Sequence, residues 1–400
     1  MEISTYGNFP RQKIRDIFLH NQNWWNFYSK FAALIRHSII VNVCKLLACN
    51  TATLGFHLFT CSTCNQTKKV FHTCKSRFCS SCGKKATEQW IQKNLNALPN
   101  VPYRHLTFTL PQELRAFFWV NRHLTNHIVK IPAGIITKLA SYKKLIPGIF
   151  TVIHTFGRDL KTNVHFHVST TAGGLSPDHT KWIPDFFIKH DSVKNMWKTS
   201  VLAILRKLYQ QNKLKMPPSL QHLTTYQAFN SWLNVLYQKS WVVHLQKKSA
   251  NQQHNVKYVG RYLKRPPLAE TRITNYDDNG VTFFYLDHYD KQRTVITLPT
   301  TEFIARLIRH IPDQHFRLIR YYNWLSNRTR GDLLALVYQL VKHAISSVIS
   351  ISWRSMFRQS FGYDPLLCNI CHIIMELTAI SQPSKSDLIY QHQTLATKIA

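Results

Sequence analysis

The stretch GIFTVIHTFGRDLKTNVHFHVSTT, residues 148–171, carries the clearest sequence evidence for the fold of this chain. Its two ends, 148–156 and 163–171, are rich in β-branched and aromatic side chains, which favour strands. The polar segment between them is typical of a turn, so the stretch predicts a β-hairpin. An earlier run, RHLTFTL (104–110), predicts a further strand that Pro111 closes. These runs predict that strands form the middle of the chain.

Three histidines lie on the predicted hairpin. His165 and His167 alternate with apolar residues, so on a strand both imidazoles point to the same face. Two such imidazoles suit a divalent metal ion, although two surface histidines have the same pattern. If the chain turns at residues 159–160, His154 lies opposite His165, and three imidazoles can converge on one ion. The alternatives are a core histidine at position 154, or His105 of the earlier strand as the third ligand.

Cysteines predict a second kind of metal site. Seven of the nine cysteines lie between Cys44 and Cys82, and in a chain without an export signal this clustering favours metal over disulfides. The motifs CSTC (61–64) and CSSC (79–82) are two C-x-x-C knuckles. Two knuckles can surround one tetrahedral zinc ion of structural role with four thiolates. The predicted ligands are Cys61, Cys64, Cys79 and Cys82.

Other potential ligands lie close to these knuckles. Cys74 and His57 are favoured over Cys49 and His72 for completing a second site or replacing a ligand in the first. A further C-x-x-C, residues 368–371, stands alone near the end of the sequence. A metal role and a pair of half-buried thiols explain this last motif equally well.

The charge balance predicts a polyanionic partner. Lys and Arg number 51 against 19 Asp and Glu, which gives a net charge of +32. Such an excess favours nucleic acid over an anionic membrane surface, since no polybasic run adjoins an amphipathic anchor. The scarcity of carboxylates also favours a histidine-based catalytic metal site over one built from clustered acids. The sequence shows no signal peptide and no apolar run long enough to span a membrane.

A pair of tyrosines lies in the basic stretch HNVKYVGRYLKRPP, residues 254–267. On a helix, Tyr258 and Tyr262 share a face, with Cβ atoms about 5–6 Å apart. Their spacing alone is more typical of buried aromatics than of nucleophiles. A tyrosine has an ordinary pKa of about 10, so a nucleophilic role needs a metal or cationic setting. Candidate cations, which are also candidate DNA contacts, are Arg261, Lys264 and Arg265.

The remaining segments are mostly helical in pattern. Helical periodicity covers 10–49, 84–98 and 192–250. Residues 281–299 predict another hairpin, and an Arg-rich helical tail begins at Thr301.

Taken together, these motifs resemble the HUH rolling-circle transposases of bacterial insertion sequences, in the two-tyrosine class with an N-terminal zinc-binding domain. The resemblance runs almost from end to end, and its motifs occur in the expected order. They are CNTATLGFHLFTCSTC with the later C74…C79-x-x-C82, HLTFTLP, IHTFGRDLKTNVHFHV, YVGRYLKRPPLAETRI, FRLIRYYNWLSNRTRGDLL and DPLLCNIC.

The resemblance implies an α+β fold in which a central antiparallel sheet is flanked by helices. It implies an N-terminal helical and zinc-binding domain over 1–98, an HUH catalytic domain over 99–300, and a C-terminal helical basic region with the second C-x-x-C over 301–400. The implied location is the bacterial cytoplasm, in association with the nucleoid.

The resemblance also implies a mechanism. Mg²⁺ or Mn²⁺, held by His165 and His167 with a third ligand, polarises a phosphate of single-stranded DNA. Tyr258 or Tyr262 then forms a 5′-phosphotyrosine, and two tyrosines allow two successive transesterifications, one at the element end and one at the target. The zinc module is expected to help recognise the element ends. The rival interpretations are a plasmid rolling-circle replication initiator and a zinc-dependent DNA-binding protein without catalytic activity.

Overall fold

The computed structural model describes residues 13–249, 253, 256, 257, 259, 260, 266–287, 290, 292–343, 352–382 and 392. Helices and antiparallel strands are mixed in it, which confirms the predicted α+β class. The helices are α1 (Lys13–Leu19), α2 (Asn23–Phe31), α3 (His37–Ala48), α4 (Ser80–Ala97), α5 (Gln112–Val120), α6 (Leu124–Ile128), α7 (Lys130–Ser141), α8 (His190–Gln210), α9 (Tyr226–Gln238), α10 (Thr300–Arg309), α11 (Arg330–Leu340) and α12 (Trp353–Phe361). None of the helices in this described part is long and apolar enough to cross a membrane.

The strands form three sheets, and within the described residues the strands pair antiparallel in all three. They are β1 (Phe56–Thr60), β2 (Thr67–Phe71), β3 (Tyr103–Thr109), β4 (Ile146–Phe156), β5 (Thr162–Leu175), β6 (Trp182–Ile183), β7 (Val243–Leu245), β8 (Ile273–Asp277), β9 (Gly280–Leu286), β10 (Arg293–Leu298), β11 (Ile319–Tyr322) and β12 (Glu376–Ser381). The central sheet has the order β11-β4-β5-β3-β7, with β6 paired to β5. The predicted hairpins are confirmed as β4–β5 and β9–β10.

One face of the central sheet is apolar because alternate residues of its strands are large hydrophobics. Phe108, Ile153 and Phe166 are buried on this face. Helices α5, α7, α8 and α9 cover it, and they contribute buried residues such as Trp197 and Phe229 to the same core. This layer of helices packs against one face of β4 and β5, and the polar groups lie on the opposite face.

The opposite face of the sheet is covered in part by α4 and by the chain around residue 256. Val152 of β4 joins a buried cluster with Trp90 of α4 and with Val256 and Val259. Gly260 allows close packing there, because a Cβ at this position would lie 2.5 Å from the side chain of Ile91.

A second core joins the N-terminal helices to the three-stranded sheet β8–β9–β10. Ile14 and Phe18 of α1, Phe283 of β9 and Phe303 of α10 are buried in it. Phe283 and Phe303 have ring centroids 6.1 Å apart. The predicted N-terminal helices are confirmed here by the burial of their apolar stripe.

The predicted helical region after residue 300 also contains strands. β11 extends the central sheet beside β4, and β12 pairs with β1, so that both ends of the chain share one small sheet. The prediction of a wholly helical tail is therefore wrong at these two segments. Both strands are edge strands of four and six residues, and their long-range partners stabilise them more than any local pattern does. The short strand β7 within 192–250 was missed for the same reason.

Candidate active site and metal centres

Three imidazoles converge on the polar face of the central sheet. His154 lies on β4 directly opposite His165 on β5, which confirms the predicted register of the hairpin. His167 lies two residues further along β5 and therefore on the same face. One ring nitrogen from each histidine lies within 4.8 Å of the others. A tight, local hairpin thus brings together the three histidines that the sequence marked as candidate ligands.

The orientation and charge of these rings suit a metal ion. The Nδ1–H of His165 donates to the backbone carbonyl of Asn163 at 2.8 Å, which leaves the Nε2 lone pair for a ligand bond. Burial lowers the pKa of His165 to about 4. Burial and the neighbouring imidazoles of His154, His165 and His105 also lower the pKa of His167. Both rings are therefore neutral at pH 7, the form that binds metals.

His105, the alternative third ligand, contacts His167 instead of joining the group of three. Its Nε2 lies 3.1 Å from Nδ1 of His167, and the two rings stack with centroids 5.2 Å apart. The Thr107 hydroxyl lies 3.4 Å from both nitrogens. Burial lowers the pKa of His105 to about 3, so the ring is neutral. His105 therefore helps to fix the orientation of the His167 ring.

Basic and aromatic side chains lie on α5, which begins shortly after β3. Arg115 is close enough for its charge to contribute to the lowered pKa of His165. Its Nε is buried and has no hydrogen-bond partner within the described residues. One helical turn further, Trp119 is 42% exposed, and the guanidinium carbons of Arg309 and Arg122 lie 4.6 and 5.9 Å from its ring centroid. This group was not predicted, and its only signal in the sequence is the i, i+4 spacing of Arg115 and Trp119.

Two separate clusters of four thiols occur in the structure. One contains Cys49, Cys74, Cys79 and Cys82; the other contains Cys61, Cys64, Cys368 and Cys371. The prediction that the knuckles 61–64 and 79–82 surround one ion is therefore wrong. The first knuckle closes the β1–β2 hairpin, whereas the second lies at the start of α4, and each finds its two remaining thiols elsewhere.

The first cluster, which we call the N-terminal cluster, is entirely buried. Its Sγ atoms are 3.6–3.7 Å apart in the pairs Cys49–Cys82, Cys49–Cys79 and Cys74–Cys82. Hydrogen bonds from the thiols of Cys49, Cys74 and Cys79 lower the pKa of Cys82. By contrast, burial raises the pKa of Cys44, outside both clusters, to about 12. The N-terminal cluster has the donor set of a closed structural zinc site.

Of the other candidate zinc ligands, some lie in a thiol cluster and some do not. Cys74 lies in the N-terminal cluster together with Cys49, which the sequence ranked lower. His57 lies in neither cluster; it is on β1, with its ring centroid 4.8 Å from that of His72. The His57 ligand prediction is therefore not supported by its position. The C-x-x-C at 368–371, which stands alone in the sequence, lies against the knuckle at 61–64 in the second cluster.

The proposed nucleophiles Tyr258 and Tyr262 lie outside the described residues, as do Arg261, Lys264 and Arg265. Their neighbours Val256, Lys257, Val259 and Gly260 are helical. Val256 and Val259 are buried in one cluster with Val152, which pairs directly with His167. The described part of this segment therefore packs on the face of the sheet that carries the three histidines.

Comparison with known proteins agrees with this architecture. Residues 19–110 match the family described as "Transposase zinc-binding domain", and residues 148–332 match the family described as "Putative transposase". The chain is 36% identical over 377 residues to the transposase for insertion sequence element IS801 of Pseudomonas savastanoi pv. phaseolicola, covering 93% of this chain and 90% of that protein. The chain belongs to the insertion-sequence transposases. A protein of Sinorhizobium fredii described as "Putative transposase y4qJ" is 30% identical over 81% of this transposase and 84% of its own length. No solved structure matches the transposase at a significant level.

The two family matches also show how the sites are distributed. The zinc-binding match includes the N-terminal cluster and the knuckle at 61–64, and the second match includes all three histidines. Neither match reaches Cys368 and Cys371. Membership of the family establishes a DNA-processing transposase with a zinc-binding domain.

Proposed function

We propose that this transposase cleaves and rejoins single-stranded DNA by tyrosine transesterification at the histidine centre. The observation that carries this proposal is the convergence of His154, His165 and His167 on the sheet face where Val256 and Val259 pack. That packing puts the described neighbours of the two tyrosines on the same side of the sheet as the histidines. We infer that the nucleophile and the electrophilic centre come from different parts of the chain and act at one surface.

The three imidazoles would hold Mn²⁺ or Mg²⁺. They are suited to this role because His165 and His167 are neutral, His154 and His167 are buried, and His165 is oriented by a backbone carbonyl. When bound, the ion supplies Lewis-acid polarisation of the scissile phosphate. An all-imidazole donor set favours a transition metal, so Mn²⁺ is the better match of the two.

The proposed covalent step uses Tyr258 or Tyr262. The phenolic oxygen loses its proton and attacks phosphorus, the P–O3′ bond breaks, and the departing 3′ oxygen gains a proton. The product is a 5′-phosphotyrosine and a free 3′-OH, so the energy of the phosphodiester is kept for rejoining. A second tyrosine allows a second transfer before the first link is resolved.

Single-stranded DNA is the proposed substrate because α5 carries cationic and aromatic side chains that suit it. Arg115, near His165, is placed to meet a phosphate, and Trp119 offers a ring on which a base can stack. Arg309 lies against that ring and can contact a following phosphate, whereas Arg122 is paired with Asp313. The net charge of +32 supports the same partner and predicts that binding weakens steeply with salt.

A covalent-adduct assay tests the proposal. Purified transposase is incubated with Mn²⁺ and labelled single-stranded oligonucleotides of the element ends, and denaturing gels reveal any protein–DNA adduct. We expect an adduct with wild type, a reduced yield with Tyr258→Phe or Tyr262→Phe, and none with the double variant. Tyr142→Phe, at an exposed position on no proposed site, is the matched control.

Two outcomes would refute the proposal. Absence of an adduct with wild type would favour the inactive DNA-binding interpretation, and an adduct that persists in the double tyrosine variant would exclude both nucleophiles.

A further inference from the structure

The geometry points to a second structural zinc ion, bound by Cys61, Cys64, Cys368 and Cys371, that fastens the end of the chain to the N-terminal module. We call this group the bridging cluster. Its sulfurs lie within 4.8 Å of one another. Its two halves are separated by about three quarters of the chain: Cys64 and Cys368 are 304 residues apart in sequence, yet their Sγ atoms are 3.7 Å apart.

The two halves have the same backbone geometry. Residues 61–66 close the β1–β2 hairpin after the pair Thr60–Thr67, and residues 368–373 close a second, shorter hairpin after the bridge Leu367–Ile374. In each loop the first cysteine donates its N–H to the carbonyl of the sixth residue at 2.9 Å.

The likeness continues at the fifth residue of each loop. Asn65 donates its N–H to the Cys61 carbonyl at 3.0 Å, and His372 donates to the Cys368 carbonyl at 3.1 Å. Both residues have a left-handed backbone, with φ of 54° and 55°. The two loops are far apart in the sequence, but they have the same turn geometry and their thiols face each other. This arrangement indicates that the four thiols bind one ion.

In the loop 368–373, backbone N–H groups favour a thiolate at Cys368. The N–H groups of Ile370 and Cys371 lie 3.4 and 3.5 Å from Sγ of Cys368. These bonds stabilise negative charge on the sulfur, as is required of a zinc ligand.

The spacing of the sulfurs fits zinc. Thiolates about 2.3 Å from a tetrahedral ion lie about 3.8 Å from one another, and the Cys64–Cys368 distance of 3.7 Å agrees with this value. All four cysteines are free thiols in the structure. The four residues therefore form a complete closed site, as the N-terminal cluster does.

The surroundings give the ion a structural task. The apolar core around the bridging cluster is small; Phe59 and Met375 are its buried members besides the cysteines, with Val70 and Leu366 packed at its edge. β12 is held to β1 by strand pairing, and most of its side chains are exposed. Because so little apolar surface is buried, a metal ion is the main available source of stability for this junction.

Zinc content per chain tests the inference without DNA or catalysis. The full-length transposase is purified and its zinc is measured by plasma mass spectrometry. We expect Cys368→Ser/Cys371→Ser to contain one zinc ion fewer than wild type, and Cys44→Ser, the matched control at a buried free cysteine outside both clusters, to equal wild type. The difference is independent of any zinc at the histidine centre. A folded double variant with the zinc content of wild type would overturn the inference.

A conservative variant covers the case in which the serine variants do not fold. Cys371→His keeps a ligand at the site, so we expect unchanged zinc content. After replacement of zinc by Co²⁺, we expect weaker thiolate-to-cobalt absorption than in wild type because one sulfur is lost. Absorption identical to that of wild type would show that Cys371 is not a ligand. Since neither assay involves tyrosine chemistry, their failure is separate from failure of the proposed function.

Discussion

The histidine centre and the bridging cluster are assembled in opposite ways. The histidines lie within fourteen residues on one hairpin, and the strand pairing alone brings them together. The thiols of the bridging cluster come from two loops near opposite ends of the chain, which meet only when β12 pairs with β1. A local site therefore depends on strand register, whereas a long-range site depends on the completed fold. Damage to the first should stop chemistry, and damage to the second should loosen structure.

The largest expected effect is that of removing a ligand from the histidine centre. His167→Ala should lower the rate of adduct formation by about 10³-fold or more, because the loss of metal polarisation costs several kcal/mol of transition-state stabilisation. Single-turnover kinetics with a short oligonucleotide measure this rate. Cys368→Ser, tested on the same oligonucleotide, should retain a rate within about tenfold of wild type. Equal losses in the two variants would break the distinction between the two sites.

A smaller effect is expected from the residue behind the ligand. His105 contacts His167 and orients it, so His105→Ala should weaken metal binding by about 10- to 100-fold. The concentration of Mn²⁺ that gives half-maximal adduct formation should rise by this factor, and the rate should recover at saturating Mn²⁺. A rate that stays low at saturating Mn²⁺, with unchanged half-maximal concentration, would contradict a positioning role.

The bridging cluster should control local rather than global stability. In Cys368→Ser/Cys371→Ser, amide hydrogen exchange in β12 and β1 should accelerate by about tenfold or more, while β4 and β5 stay protected. Hydrogen-exchange mass spectrometry of the full chain gives both values at once. Cys44→Ser is again the control, and equal acceleration in β4 and β5 would show that the cluster supports the whole fold.

The smallest effect concerns the exposed aromatic ring on α5. Trp119→Ala should weaken binding of single-stranded DNA by about tenfold, because stacking contributes about 1–3 kcal/mol per base. Fluorescence anisotropy measures the affinity. Phe187→Ala removes another exposed aromatic ring, 79% accessible, and should leave the affinity unchanged. Identical affinities in the two variants would place the DNA elsewhere.

The predictions from the sequence are confirmed where the contacts are local. The register that pairs His154 with His165, the strands β3 and β9–β10 and the N-terminal helices were all predicted from periodicity and turn residues. The predicted domain boundaries at residues 98 and 300 remain predictions, although β11 and β12 show that the last hundred residues contribute to both earlier parts. Edge strands of this kind carry no distinctive pattern, because their pairing partner, rather than their own sequence, stabilises them.

The metal ligands divide in the same way. The sequence shows which residue types are available: three histidines on one predicted hairpin, three C-x-x-C motifs and a strongly basic composition. Which thiols come together depends on the tertiary structure. The knuckle at 61–64 lies against the one at 368–371, and Cys49 and Cys74 join Cys79 and Cys82 in the other cluster. The physical reason is that a knuckle is a local turn which presents two sulfurs regardless of its partner. The other two thiols of each cluster are brought to the knuckle by strand pairing and core packing, which can join residues hundreds of positions apart.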